Sequence, residues 1–369
     1  MAAAGGDCAE PASRTIGSNL GDDSCGAAAC TSVHPVQPSS LSSAQSTPAA
    51  APRHWRWRER IKRIKNDLVY AIVRVLVQML GGLPHRLALA LGAALGRLGY
   101  LLAGPERRRA LANLARAGIG GSAGGRRRLV RRMFSHIGKN AMECVVLKRL
   151  RPHLGTDRSP VQYSPGSRAA LEAAVAKGRG VLFVTAHIGN WELMAAEVAR
   201  VAPVSVLVKP SYDPRFTRMI GEFRRANGVE GISVARPGHL RSALAALRRG
   251  EILGVLLDQA VPTGCLVPFM GHLAWTSTVV ESLERVSGAS VVWGAVHRCA
   301  ARRHSLSICS LSERKTQPAR GLTHLLTAQV EAAVRAHPSE WMWSLDRWRS
   351  TESPLLSSPI ASSIPASNS

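Results

Sequence analysis

The sequence predicts an α/β protein, with a largely parallel or mixed sheet flanked by helices and preceded by N-terminal interfacial helices. Three observations predict it. From about Ser167, short apolar runs alternate with amphipathic stretches of roughly 10–15 residues, the pattern of βαβ units. Residues 53–151 hold 23 Lys/Arg against four Asp/Glu, together with the longest apolar windows of the chain. Hydrophobic residues make up 46% of the 369, enough for a substantial core.

The elements follow in chain order. Residues 1–52 are rich in Ala, Gly, Ser and Pro and read as a disordered leader. No basic start followed by an apolar stretch marks a signal peptide there. In HWRWRERIKRIKNDLVYAIVRVLVQML, the polar residues Arg63, Asp67, Arg74 and Gln78 fall on one helical stripe with Leu, Val and Ile around the rest. LPHRLALALGAALGRLGYLLAG repeats the pattern, with Arg86 and Arg97 on one face. Neither segment reaches ~18 uncharged apolar residues, so neither reads as a transmembrane span. Two helices lying in a membrane interface, with Trp55 and Trp57 beside Arg and Lys at the start, fit this pattern, and a pair of buried helices in a bundle is the alternative. PERRRALANLARAG and RRRLVRRMFSHIGKNAMECVVLKRL read as two further helices about a Gly-rich joint at 118–125. That joint imitates a dinucleotide fingerprint, but no strand precedes it, so it reads as a loop. The core spans 152–349, with strands expected at GVLFVTA, VSVLVKP, GISVA, EILGVLLDQ, ASVVWGAVHRCA and HSLSICSLS and helices between them. Residues 350–369 are Ser/Pro-rich and read as a tail.

The formal charge of +24 calls for an anionic partner. Residues 1–50 carry one Arg and four acids, so the excess sits in the same stretch as the apolar windows. Basic and apolar together favour a membrane surface. With 5% aromatics and no recognisable reading module, nucleic acid is not expected. Seven cysteines with no CxxC pair form neither a disulfide framework nor a zinc site. GxSxG, GxxxxGK[ST] and HExxH are all missing, which argues against a serine hydrolase, a P-loop NTPase and a catalytic metal.

The segment VLFVTAHIGNWEL raises the catalytic question. His187 lies just past the carboxyl end of a buried strand, where α/β sheets gather their active sites. Gly189 permits a tight turn, Asn190 is a good N-cap, and Glu192 lies in the first turn of the following helix. A carboxylate folded back onto one imidazole nitrogen would fix the tautomer and leave the other to accept a proton, the arrangement of a general base for a hydroxyl. A turn histidine beside a capping glutamate is the equal alternative. Asp258 and Gln259 end another strand, Arg224 and Arg225 end an amphipathic helix, and the core closes with EWMWSLDRW. Taken singly these read as a turn residue, a solvated face and a Trp-rich core.

The ordered set of His187-x4-Glu192, Arg224/Arg225, Asp258-Gln259, Val267-Pro268-Phe269-Met270-Gly271, and Trp343 with Arg347 resembles the late lipid A biosynthesis acyltransferases, lysophospholipid-acyltransferase-like enzymes of the Kdo2-lipid A lauroyl/myristoyl transferase type. ERRRALANL resembles the stretch that precedes their core, and the likeness spans roughly 68–349. The resemblance implies a glycerolipid acyltransferase-like fold with His187 as general base and Glu192 orienting it. It also implies Arg224, Arg225, Asp258, Gln259 and Arg347 as substrate-binding residues, Asp258 in support of the site or of the acceptor. The implied reaction moves an acyl chain from an acyl thioester, on acyl carrier protein or coenzyme A, to a hydroxyl of a glycolipid, with a lipid A precursor foremost. No cofactor, metal or acyl-enzyme is implied. The implied partners are acyl carrier protein and an anionic glycolipid, at the cytoplasmic face of the inner membrane. The chain departs from the family's usual pattern at Met270, Leu283-Glu284 and Leu345, which bears on acceptor and chain length. One rival is a class I nucleotidyltransferase, imitated by HIGN but lacking its second Lys/Ser-rich loop, for which ERKTQ is a poor substitute. The other is a non-catalytic membrane-surface adaptor.

Overall fold

A computed structural model describes residues 53–311 and 321–348. The expected leader at 1–52, the tail at 350–369, the ERKTQ segment, and the side chains of Trp55, Trp57 and Arg63 lie outside the described residues. Five helices come first: α1 (Arg53–Leu80), α2 (His85–Leu102), α3 (Gly104–Arg116), α4 (Ala123–Val145) and α5 (Leu147–Leu150). Then follow β1 (Val161–Tyr163), α6 (Ser167–Ala176), β2 (Val181–Thr185), α7 (Trp191–Val198), β3 (Val204–Val208), α8 (Pro214–Ala226), β4 (Val229–Ser233), α9 (His239–Arg248) and β5 (Ile252–Leu256). A hairpin of β6 (Cys265–Phe269) and β7 (His272–Thr276) leads into α10 (Val279–Ser287), β8 (Ser290–Ala300), β9 (Arg303–Ser310) and α11 (Leu322–Ala336).

The fold is α/β, as the alternating pattern predicts. The main sheet runs in the order β1-β9-β8-β2-β5-β3-β4. β8, β2, β5, β3 and β4 are mutually parallel, while β9 runs antiparallel to β8. Central β2 is buried at every position, because parallel sheets are covered on both faces. On one face Leu182, Val184, Leu253 and Val291 pack under α9, α10 and α11. On the other Val181, Phe183, Val204 and Ile252 meet α6 and α7.

Three strands escaped sequence reading. β1 is only three residues long. β6 and β7 lie where no strand was expected, joined by Met270-Gly271, both with positive φ (53° and 79°), the geometry of a two-residue hairpin turn. Pro268 and a non-glycine turn residue mask this hairpin in the sequence. β4 also begins two residues before the expected GISVA run.

The helical segments of 53–151 are formed, and their packing has a specific cause. Gly92 and Gly96 of α2 meet Gly138 and its neighbours on α4 so closely that a Cβ on Gly138 would lie 2.0 Å from the Gly92 carbonyl oxygen. Small residues therefore let two backbones touch. The opposite side of α2 leaves Leu87, Leu95, Leu98, Leu101 and Leu102 exposed, and α1 exposes Leu68, Val69, Ile72, Val75, Leu76 and Met79. That pattern departs from a fully buried bundle. Among the described residues, no single helix is long and apolar enough to cross a membrane; α2 and α3 together, bent by 89°, meet that requirement by length and composition only. α1 is tied to α8, with the Arg215 guanidinium donating to Asp67 at 2.6 Å and the Tyr70 and Phe216 rings 5.6 Å apart.

Replacing Gly138 with Val is expected to push α2 off α4 and cost about 3 kcal/mol or more, the upper range for overpacking. Thermal unfolding of the variant checks this, with Gly82→Ala, where a Cβ meets nothing within 4 Å, as the neutral control.

Candidate active site

Past Thr185 the chain turns through Ala186–Asn190 into α7. Ile188 N–H donates to Ala186 O at 2.8 Å. Gly189 has φ 59°, and a Cβ there would fall 2.0 Å from the Val296 carbonyl oxygen, so glycine is required twice over. Asn190 caps α7, its Oδ1 accepting from Leu193 N–H at 3.1 Å.

The carboxylate on His187 is Asp258. Parallel pairing of β2 with β5 aligns Thr185 with Leu256, so the residues two places beyond each strand, His187 and Asp258, come to lie side by side. His187 Nδ1 is 2.8 Å from Asp258 Oδ1. The His187 backbone N–H donates to Oδ2 at 2.8 Å, and Trp341 Nε1–H donates to the same oxygen at 2.7 Å. Burial alone would push the Asp258 carboxyl up, but the neighbouring imidazole and these donors outweigh it and hold its pKa below the ordinary value. For His187, burial pushes the pKa down, and Asp258, with a smaller push from Glu192, more than reverses it, leaving it above 6.5. A carboxylate on Nδ1 selects the Nδ1–H tautomer and leaves the Nε2 lone pair to accept a proton. The His187 side chain retains 12% exposure, and its ring stands edge-on to Trp191, centroids 5.0 Å apart.

This corrects the expected role of Glu192, whose carboxylate instead binds Arg224, accepting from Nε at 3.0 Å and from Nη2. The turn carries Glu192 onto α7, where it faces α8 rather than the imidazole. The pair stands over a narrow apolar cavity between the sheet and α7, lined by Phe183, Val206, Ile252, Gly254, Ala195 and Val198. The remaining expected site residues separate. Arg225 is exposed and faces Glu230 at 4.0 Å. Gln259 is exposed beside Asp258, and its carbonyl oxygen accepts from Arg347 at 3.2 Å. Arg347 is 1% exposed and donates also to Trp275 O and Thr276 Oγ1 at 2.6 and 2.7 Å, its guanidinium over the Phe269 ring. It is a strut that joins the chain end to the β6–β7 hairpin, not a residue open to substrate. Asp258, expected among the substrate-binding residues, is 1% exposed and serves His187.

Sequence reading missed the scaffold of the turn. Trp341 is fully buried, bridges to Ile188, and packs on Phe269 and Trp343 at 5.7 and 4.7 Å. Gly189 N–H donates to Glu340 O, and Met342 N–H to His187 O, both at 3.1 Å. From α4, Asn140 Nδ2 donates to Gly189 O at 2.7 Å, and the Glu143 carboxylate accepts from Asn190 Nδ2 at 2.9 Å. Burial would raise the Glu143 pKa, but hydrogen bonds from His304, His85 and Arg298 hold it well below the usual range. Asn140 and Glu143 are three residues apart on one helical face; that spacing was the available signal. Asn113 of the ERRRALANL stretch donates to the carbonyls of Trp343 and Leu345, both at 2.8 Å.

The imidazole arrangement is testable by NMR. His187 is expected to titrate above 6.5 with its neutral form protonated at Nδ1. In Asp258→Asn the pKa falls, because the charge that raised it is gone. The amide oxygen must face the two donors at Oδ2, so the amide NH₂ faces Nδ1 and inverts the tautomer. An unchanged tautomer in that variant would contradict the assignment.

No curated protein matches the chain. The family model described as bacterial lipid A biosynthesis acyltransferase matches residues 57–350, which take in most of α1, the glycine-packed helices, the sheet, the His187–Asp258 pair and the closing tryptophans. The chain therefore belongs to the bacterial lipid A biosynthesis acyltransferase family.

Proposed function

We propose that this acyltransferase moves a fatty acyl chain from an acyl thioester, carried by acyl carrier protein, to a hydroxyl of a lipid A precursor at the cytoplasmic face of the inner membrane. The observation that carries the reading is a partly exposed imidazole, steadied by a buried carboxylate, beside an apolar cavity. His187 Nε2 takes the hydroxyl proton as the oxygen attacks the thioester carbonyl. A C–O bond forms, and a tetrahedral oxyanion develops. The C–S bond then breaks, and the imidazolium returns the proton to the thiolate. Asp258 keeps Nδ1–H in place and stabilises the imidazolium. The apolar cavity under Glu192 and Arg224 encloses about 60 Å³, room for only a few methylenes of the acyl chain, whose remainder lies outside it. The exposed apolar faces of α1 and α2, helices that also expose Arg74, Arg86 and Arg97, lie on the bilayer and keep the site within reach of a lipid hydroxyl. Residues 53–151 thus form the membrane-associating region and 152–349 the acyltransferase core.

Mass spectrometry of membrane lipids from cells with and without the protein tests the reading. A glycolipid one acyl chain heavier is expected with the intact protein and not with His187→Ala. Asp258→Asn is expected to lower kcat about a thousandfold or more, the order seen when a base loses its tautomer-fixing carboxylate. If acyl transfer persists in His187→Ala, the assigned base is wrong. The acid limb of the wild-type kcat/KM profile is expected above pH 6.5, because the free enzyme must first lose the raised His187 proton.

A further inference from the structure

A basic cleft lies near the turn that carries His187. Between the α1–α2 junction, the segment after α5 and the tip of the β8–β9 hairpin lies a cleft of about 760 Å³. Arg149, Arg158, Arg302 and Arg303 line it, with His153 and a single carboxylate, Asp157. Arg149 is pinned at its rim, donating to Gly82 O at 2.6 Å. Arg158, Arg302 and Arg303 are exposed, and none pairs with a carboxylate among the described residues. Elsewhere on this basic chain the arginines of α3 and α4 lie along helices, whereas these four converge on a concavity of ligand size.

We propose that this cleft binds a phosphate group on a lipid headgroup. Guanidinium forks match phosphate oxygens, and several converging on one hollow without internal carboxylate partners hold a charge that folding leaves uncompensated. The cleft's wall includes Leu83, Pro84 and His85, where the exposed apolar faces of α1 and α2 meet, so a phosphate carried at a bilayer surface reaches it. The cleft is also wired to the catalytic turn. His85 of its wall bonds Glu143 at 3.1 Å, and Glu143 bonds Asn190 at 2.9 Å. A headgroup anchored here by its phosphate lies beside the elements that hold His187. That the lipid is the acceptor rests on the acyl transfer proposed above; the phosphate site itself does not.

Flotation with phosphatidylcholine vesicles tests it without requiring turnover. The vesicles carry a phosphorylated lipid A precursor, the same lipid after phosphatase treatment, or phosphatidylglycerol at matched charge. The full-length protein is compared with the triple variants R158Q/R302Q/R303Q and R127Q/R128Q/R132Q, the latter removing equal charge from α4. Wild type is expected to bind phosphorylated vesicles at least about tenfold more tightly than dephosphorylated ones, a modest share of what three arginines near an anionic surface supply. The cleft variant loses this preference while the α4 variant keeps it, and both retain the wild-type melting temperature. A cleft-dependent gain with the precursor alone identifies the acceptor headgroup. An equal gain with phosphatidylglycerol identifies bulk phospholipid as the source. Equal losses in both triple variants, or an unaltered preference in the cleft variant, would overturn the site. Absence of acyl transfer by the wild-type protein, with its phosphate preference intact, would sink the proposed reaction and leave the site standing.

Discussion

The buried Asp258 carboxylate is the constraint on which the rest of this structure turns. A charged group at 1% exposure is tolerable only when its oxygens are fully engaged, and here three donors engage them: the imidazole, the His187 amide and the Trp341 indole. The donors come from two distant parts of the chain, His187 and Trp341. The first two require β2 and β5 to pair in one register. The third requires the segment after α11 to fold back across the sheet end. Phe269 on the β6–β7 hairpin packs against Trp341 and Trp348, and Arg347 ties that hairpin to the closing segment. The late motifs of the chain are thus supports for a single carboxylate.

A second set of supports holds the turn from the opposite side. α4 sends Asn140 to the Gly189 carbonyl and Glu143 to the Asn190 side chain, while α4 itself is gripped by α2 through backbone contact at glycines. The turn that carries His187 is clamped between the N-terminal helices and the C-terminal tryptophans. The exposed apolar faces of α1 and α2 and the His187–Asp258 pair are therefore joined through packed elements. Helix α4 is the link, since it packs on α2 and also bonds the turn that carries His187.

The division of labour between carboxylates follows from this arrangement. Asp258 is enclosed and holds the imidazole, whereas Glu192 is part-exposed, holds Arg224 and shapes the edge of the apolar cavity. Proximity in sequence pointed to Glu192 because a five-residue offset across a turn leaves its direction open. The direction is set by α7, whose N-cap at Asn190 rotates Glu192 toward α8. Arg347 was misread for a related reason. A late arginine in a motif suggests a substrate anion, but its surroundings are carbonyl oxygens that chain folding alone brings together.

The sequence by itself determined the α/β class, most strand and helix positions, the placement of His187 beyond a buried strand, and the family, because these rest on local periodicity, capping residues and motif order. It also pointed to the Glu192–Arg224 and Asp258 positions as members of one set. Only the tertiary structure decided which carboxylate meets the imidazole, that Arg347 is internal, that Trp341 and Glu143 support the turn, and that four arginines from three segments share a hollow. Those outcomes depend on strand register and on contacts between residues tens to hundreds of positions apart, and no local spacing encodes them.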